Sequence, residues 1–314
     1  MKKKIGIFSS SRSDVASLIP IIKSNDFFKI KLFICGTHLE KKFGKTKYLF
    51  DKFKNIKVIQ FKTTDKRLDE IGTLNSSSNT IKKISNIFKI SKLNGLIIVG
   101  DRYEALMAAY SAFIQNIPVF HLGGGETTLG SFDDKFRNCI SIFSTLHFIT
   151  RPEYKNKLIS LGINKKFIFF SGDSSQEHLL KEKKFSTKDI EKKFNVNLNE
   201  KNILLNYHPL TNNLKKSYQE FQNILLSLQR LDNKIYNIFI TSPNSDMGSS
   251  KIIKQIKKIV RKKNFFYIKN LGSYYYSFLQ KCIFLIGNSS SGVTDTVLLN
   301  VNTINIGERQ KGRT

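Results

Sequence analysis

Short apolar runs alternate with amphipathic segments along almost the whole chain. The runs are rich in Ile, Val, Leu and Phe, as expected of strands buried on both faces of a parallel sheet. The segments between them repeat their apolar positions at helical spacing. Strands are predicted at 4–9, 30–35, 57–61, 95–99, 117–122, 146–149 and 167–171, with helices over 14–23, 79–92, 102–115 and 135–143. From 174 to 200 the texture turns hydrophilic and charged, and the alternation then resumes with strands at 202–207, 236–241, 265–268, 282–286 and 303–306. The expectation is an α/β chain of two doubly wound, Rossmann-like domains, 1–175 and 176–314, with ligands bound in a cleft outside the carboxyl ends of the strands.

Composition changes this picture little. A chain of 314 residues with 40% hydrophobic and 12% aromatic content has ample material for packed cores. The net charge of +28 invites a nucleic-acid or membrane-surface reading. Its lysines, however, are spread through every segment, and no zinc-finger spacing, helix-turn-helix pattern or aromatic RNA-binding pair accompanies them. Specific nucleic-acid binding is therefore not expected. Cys35, Cys139 and Cys282 lie far apart, each in or beside an apolar run, and read as core thiols of a reducing cytoplasm. The apolar run after Lys2-Lys3-Lys4 stops at Ser9, too short for a signal peptide, and no run approaches a membrane span.

Candidate chemistry gathers where the strands end. The run ending at Gly287 continues as Asn288-Ser289-Ser290-Ser291-Gly292, a cluster whose exposed backbone N–H groups suit a diphosphate, although such clusters are also ordinary turns. After Val99 comes Gly100-Asp101-Arg102, where Asp101 either caps the next helix or serves chemistry. The following strand ends in His121-Leu122-Gly123-Gly124-Gly125-Glu126, with Asp133, Asp134 and Arg137 shortly beyond. Acidic residues after two successive strands exceed what capping requires. In the second half, His208-Pro209 and Ser242-Pro243-Asn244-Ser245-Asp246 end two strands. Asp295 either caps a helix or holds ribose hydroxyls. The turn Ser9-Ser10-Ser11-Arg12 lacks the GxGxxG spacing, and no Walker A motif is present, so neither a nicotinamide dinucleotide nor a P-loop site is supported.

Together these motifs resemble the bacterial UDP-N-acetylglucosamine 2-epimerases, in particular the hydrolysing branch that feeds sialic and legionaminic acid synthesis. The resemblance covers nearly the whole chain. It includes Ser11-Arg12-Ser13-Asp14, Gly36-Thr37-His38-Leu39 with Phe43-Gly44-Lys45-Thr46, Gly100 to Glu104, His121 to Gly130, Asp133 with Arg137, His208-Pro209, Pro243 to Gly248, Asn288 to Gly292 and Arg309-Gln310-Lys311-Gly312-Arg313.

The resemblance implies a fold like that of the GT-B glycosyltransferases and a UDP-sugar in the interdomain cleft. Asp101 and Asp133 would be the acid/base carboxylates, joined in the catalytic set by Glu126 and His208. Arg12, His38, Asn244, Asn288, Ser289, Ser290, Ser291, Gly292, Arg309 and Lys311 would bind substrate, chiefly at the diphosphate, with Asp295 on the ribose. The reaction implied removes the C2 proton as UDP leaves C1, hydrates the resulting glycal, and releases UDP with a free manno-configured 2-acetamido sugar, without metal or redox cofactor. A cytoplasmic homodimer is expected. Alternatives are a non-hydrolysing epimerase, a GT-B glycosyltransferase and an inactive homologue. Two departures stand out. Gly123 occupies a position where relatives often carry an acidic or imidazole side chain. Relatives also continue for several helices past the position of Thr314, so the chain reads as truncated.

Overall fold

A computed structural model of the chain describes residues 2–313, which fall into two compact units. Unit 1 comprises Met1–Lys41, Lys45–Thr127 and Phe132–Leu180, and unit 2 comprises Lys42–Gly44, Thr128–Ser131 and Lys181–Thr314.

Unit 1 runs β1 (Lys4–Ser9), α1 (Arg12–Lys23), β2 (Lys29–Ile34), β3 (Lys57–Gln60), α2 (Glu70–Ser91), β4 (Gly95–Val99), α3 (Tyr103–Ile114), β5 (Val119–Leu122), α4 (Asp133–Phe143), β6 (Leu146–Ile149), α5 (Tyr154–Ser160), β7 (Ile168–Phe170) and α6 (Ser174–Lys181). The strands form a seven-stranded parallel sheet in the order β3-β2-β1-β4-β5-β6-β7. The order reverses between β1 and β4, so strand ends diverge there and leave room for a ligand. Because side chains alternate along a strand, Phe8, Phe33, Leu96 and Ile98 join one core with α2 and α3, while Ile7, Leu32 and Ile34 join another with α1. On α3, Ala105, Ala108, Ala109 and Ala112 form a small-residue stripe at helical spacing, fully or nearly buried, which lets the helix lie close on the sheet.

Unit 2 runs α7 (Thr187–Phe194), β8 (Lys201–Asn206), α8 (Leu214–Leu228), β9 (Tyr236–Thr241), α9 (Ser249–Ile259), β10 (Phe265–Ile268), α10 (Tyr275–Leu279), β11 (Cys282–Gly287), α11 (Asp295–Leu299) and β12 (Asn302–Asn305). Its five parallel strands are ordered β10-β9-β8-β11-β12, with the reversal between β8 and β11. Ile203, Leu205, Phe221, Ile252 and Ile256 fill one side, and Leu204, Phe239, Phe278 and Leu285 the other.

Three expectations change. The chain divides between Leu180 and Lys181 rather than at 175/176, because α6 stays with unit 1, where Ser174 Oγ donates to Ser17 O at 2.9 Å. The helix expected from residue 79 begins at Glu70. Its first turns look too polar to be buried, yet Ser76 and Thr80 turn their hydroxyls back onto the carbonyls of Gly72 and Ser76, both at 2.7 Å, and so pack as small apolar residues would. Cys139 is exposed rather than a core thiol, because the inner face of α4 is formed by Asp134, Arg137, Ile140 and Ser141. No helix among the described residues is long and apolar enough to cross a membrane.

Candidate active site

The ends of β1, β2, β4 and β5 in unit 1 carry the first group of candidate residues. In the turn after β1, Asp14 sits at the third position of α1 and accepts from Ser10 N at 2.8 Å, Ser11 N at 3.0 Å and Ser9 Oγ at 3.1 Å. The concavity that this turn offers an anion is thus already filled by the protein's own carboxylate. Arg12 follows at the first position of α1, half-buried.

His38 lies beneath the same turn with no exposed surface, its Nε2 2.8 Å from Ser9 Oγ and its Nδ1 2.8 Å from Thr46 Oγ1. Burial pushes it down to about 4, so it is neutral at physiological pH. His38 was expected to meet substrate; in the structure both of its ring nitrogens engage side chains of unit 1. Gly36 is required here, since its φ is +57° and a Cβ would stand 2.5 Å from Ser10 O.

At the end of β4, Arg102 and Glu104 form a buried ion pair, Nε to Oε2 at 3.0 Å. Asp101 reaches Arg137, whose guanidinium is almost wholly buried and also donates Nη1 to Glu126 O at 3.0 Å. Burial opposes the charge on Arg137, but Asp101, Glu126, Asp133 and Asp134 around it outweigh that and raise its pKa. Asp101 therefore engages a cation on α4 as well as preceding α3. Four carboxylates gather about one buried guanidinium. Lys157 completes the arrangement, donating Nζ at 3.1 Å to each of Glu126 O, Thr127 Oγ1 and Asp134 Oδ1. Glu126 itself accepts from Thr150 Oγ1 at 3.0 Å.

Below these groups, His121 Nε2 donates to Gly100 O at 2.8 Å and its Nδ1 lies 3.0 Å from Ser141 Oγ, which fixes the carbonyl just before Asp101. Burial pushes His121 down to about 3 and its register neighbour His147 to about 4.

Unit 2 carries the second group. The turn Ser289 to Gly292 after β11 is held by Ser289 Oγ accepting from Ser291 N at 3.4 Å, and Ser290, Ser291 and Gly292 are half-buried. Asp295 opens α11 and accepts from Thr294 Oγ1 at 3.1 Å. The Asn288 side chain is engaged within unit 2. Its Oδ1 accepts from His208 N at 2.7 Å and its Nδ2 donates to His208 O at 2.8 Å. Arg309 Nη1 and Gln310 Nε2 converge on Asn288 O at 3.2 and 2.9 Å. Asn244 meets His208 through its backbone, N to Nδ1 at 3.1 Å. Lys311 is exposed, 3.6 Å from Glu308, which also pairs with Lys216 at 3.0 Å.

Sequence reasoning missed Tyr207, Glu220 and Lys157. The Tyr207 hydroxyl donates to Glu220 Oε2 at 2.9 Å, and a Cβ at Gly307 would stand 2.8 Å from the same carboxylate, so Glu220 underlies the turn that leads to Arg309. Tyr207 precedes the conspicuous His208-Pro209, and Lys157 is one lysine among many. Only the three-dimensional contacts distinguish them.

The family described as UDP-N-acetylglucosamine 2-epimerase matches residues 21–314. A GDP/UDP-N,N'-diacetylbacillosamine 2-epimerase (hydrolyzing) of Campylobacter jejuni is 34% identical over 99% of this chain and 82% of its own. A UDP-N,N'-diacetylbacillosamine 2-epimerase (hydrolyzing) of Legionella pneumophila is 27% identical over 100% of this chain and 83% of its own. Among solved structures, a UDP-GlcNAc 2-epimerase from Neisseria meningitidis bound to UDP-GlcNAc superposes with a TM-score of 0.79 at 20% identity, covering 99% of this chain and 85% of that one. That likeness gives the two-domain α/β fold.

Proposed function

Because the chain belongs to the UDP-N-acetylglucosamine 2-epimerase family, we propose that it is a hydrolysing UDP-sugar 2-epimerase. It converts a UDP-linked 2-acetamido sugar and water into UDP and the free 2-epimeric sugar. The observation that carries this reading is the group of four carboxylates about the buried Arg137, a concentration of acid/base groups that no capping role explains. The names of the Campylobacter and Legionella relatives support the hydrolysing branch.

The chemistry follows from those groups. A carboxylate takes the C2 proton while the C1–O bond to the diphosphate breaks, which leaves a C1=C2 double bond. The oxygen of water then adds to C1, and C2 receives a proton on the opposite face. Two acid/base groups serving opposite faces are needed, and Asp101 and Asp133 fill these roles with Glu126 beside them. Arg137 and Lys157 hold this set in place. The departing diphosphate needs hydrogen-bond donors and positive charge, supplied by Arg12, Ser289, Ser290, Ser291, Gly292, Arg309 and Lys311, with Asp295 on the ribose. Free thiols, including the exposed Cys139, fit a reducing cytoplasm, and the exposed Tyr110, Phe113 and Ile114 on α3 favour a homodimer.

Product NMR on UDP-N-acetylglucosamine and on its 2,4-diacetamido-2,4,6-trideoxy analogue tests the reading and selects the sugar. Free manno-configured sugar with stoichiometric UDP is expected from one of them. An epimerised sugar still attached to UDP would make the enzyme non-hydrolysing, and no change in either substrate would refute the reading.

A further inference from the structure

The strands of unit 1 all run parallel, so their amino ends lie along one edge of the sheet and their carboxyl ends along the other. The fold sorts charge between these edges. The segments at the amino ends, 2–4, 24–29, 54–57, 91–95, 115–119, 144–146 and 161–168, hold nine lysines and one carboxylate, Asp26. Asp14, Asp101, Glu104, Glu126, Asp133 and Asp134 all belong to the other edge. The lysines are spread evenly along the chain, and it is the placing of the carboxylates elsewhere that leaves the amino-end edge cationic. Among the described residues none of these nine lysines is ion-paired.

Strand register crowds this edge further. Lys4 stands opposite Lys29, and Lys31 opposite Lys57. Like charges placed so cost stability. Burial, with the charges of Lys4 and Lys57, lowers the pKa of Lys31, whose Nζ donates to a carbonyl, Ser91 O at 3.0 Å. Apolar side chains stand in water among these lysines. Phe27, 74% exposed, and Phe28 tip the turn before β2; Ile90, 81% exposed, lies at the end of α2 next to Ser91; and Phe167 precedes β7.

We propose that the amino-end edge of unit 1 is a docking surface for a bilayer rich in acidic phospholipid, with its lysines among the headgroups and Phe27 and Ile90 entering the layer beneath. Charge complementarity selects this partner, because the headgroups supply the negative charge that the protein leaves out of this edge. The exposed apolar side chains favour a bilayer over a soluble polyanion, which has no apolar phase to receive Ile90. The contact is peripheral, and no segment spans. Asp101 and Glu126 lie at the opposite ends of the strands, so the orientation that brings the lysines to a negative surface turns these carboxylates away from it. The proposal rests on topology and charge and is independent of the epimerase reading.

Co-sedimentation of the full chain with vesicles of phosphatidylcholine alone, or of equal parts phosphatidylcholine and phosphatidylglycerol, tests this. Binding to the mixed vesicles only, weakened by salt, is expected. A lysine near such a surface is worth about fivefold in partitioning, so Lys3→Gln, Lys29→Gln and Lys57→Gln combined should weaken binding about 100-fold. Phe27→Ser alone should weaken it about tenfold. The same change of three charges on α9, Lys254→Gln, Lys257→Gln and Lys258→Gln, is the control and should cost less than about fivefold. All these side chains are exposed, so each arm compares folded chains. Equal loss in the two triple variants would assign the binding to net charge rather than to this edge and overturn the proposal, as would no binding to the mixed vesicles. Tighter binding to polyuridylic acid than to the mixed vesicles at the same salt, with Phe27→Ser unchanged on both, would make the partner a nucleic acid and equally overturn it.

Discussion

Lowering the pH from 6.5 to 5 should destabilise unit 1 sharply, because three of its histidines are buried in the neutral form. His38, His121 and His147 fold with values of about 4, 3 and 4, against 6.5 in the unfolded chain. Between these limits the unfolded state binds protons that the folded state refuses, so stability falls as pH falls. The contribution is fully present above 6.5 and is lost progressively down to about 4 for His38 and His147 and about 3 for His121. Each pH unit costs about 1.4 kcal/mol per group. One and a half units therefore cost about 2 kcal/mol per histidine and about 6 kcal/mol for the three, comparable to the whole stability of a typical domain. The lowered carboxylates Asp65, Asp69 and Asp189 titrate below this window and do not obscure it. Urea unfolding followed by far-UV circular dichroism at pH 7, 6 and 5 reads the effect. The variant His147→Leu should reduce the loss by about 2 kcal/mol, since the His147 Nδ1 has no hydrogen-bond partner and an apolar side chain suits the site. A stability that changes by less than about 1 kcal/mol between pH 7 and 5 would refute the reasoning.

Asp101→Asn and Asp133→Asn should each lower kcat by about 100-fold or more while calorimetry finds UDP still bound, and normal turnover in both would remove the acid/base assignment. Lys157→Met should cost about 1–3 kcal/mol of stability, because Glu126 O, Thr127 and Asp134 lose a shared donor, and should lower kcat more than it raises KM; an unchanged melting curve would contradict the clamp. Gly287→Ala should prevent unit 2 from folding to its native melting temperature. Its φ is +137° and a Cβ would stand 2.1 Å from Asn206 O, so a wild-type melting curve would show that the approach of β11 to β8 is misdescribed.

The strands were legible because each is an apolar run bounded by polar residues, and the twelve expected positions all carry observed strands. The start of α2 was not, since serine and threonine hydroxyls that satisfy themselves on the helix's own carbonyls leave no apolar trace in the sequence. At the candidate site, residue types at strand ends marked the candidate positions, but not the direction of each side chain. Asn288 and His38 sit among motifs that the sequence marks as candidates for ligand binding, yet their side-chain polar atoms have partners within the protein. Asp14 likewise takes up the backbone N–H groups of Ser10 and Ser11 in the turn after β1. Such partnerships join residues distant along the chain, and no local spacing encodes them.

The central claim is that carboxylates of unit 1 remove the proton at C2 of a UDP-linked sugar as UDP departs. Turnover in deuterated water, with NMR of the released sugar, measures this directly. Deuterium fully incorporated at C2, with its appearance abolished in Asp101→Asn, is the predicted result. Free sugar that retains its original C2 proton would contradict the claim.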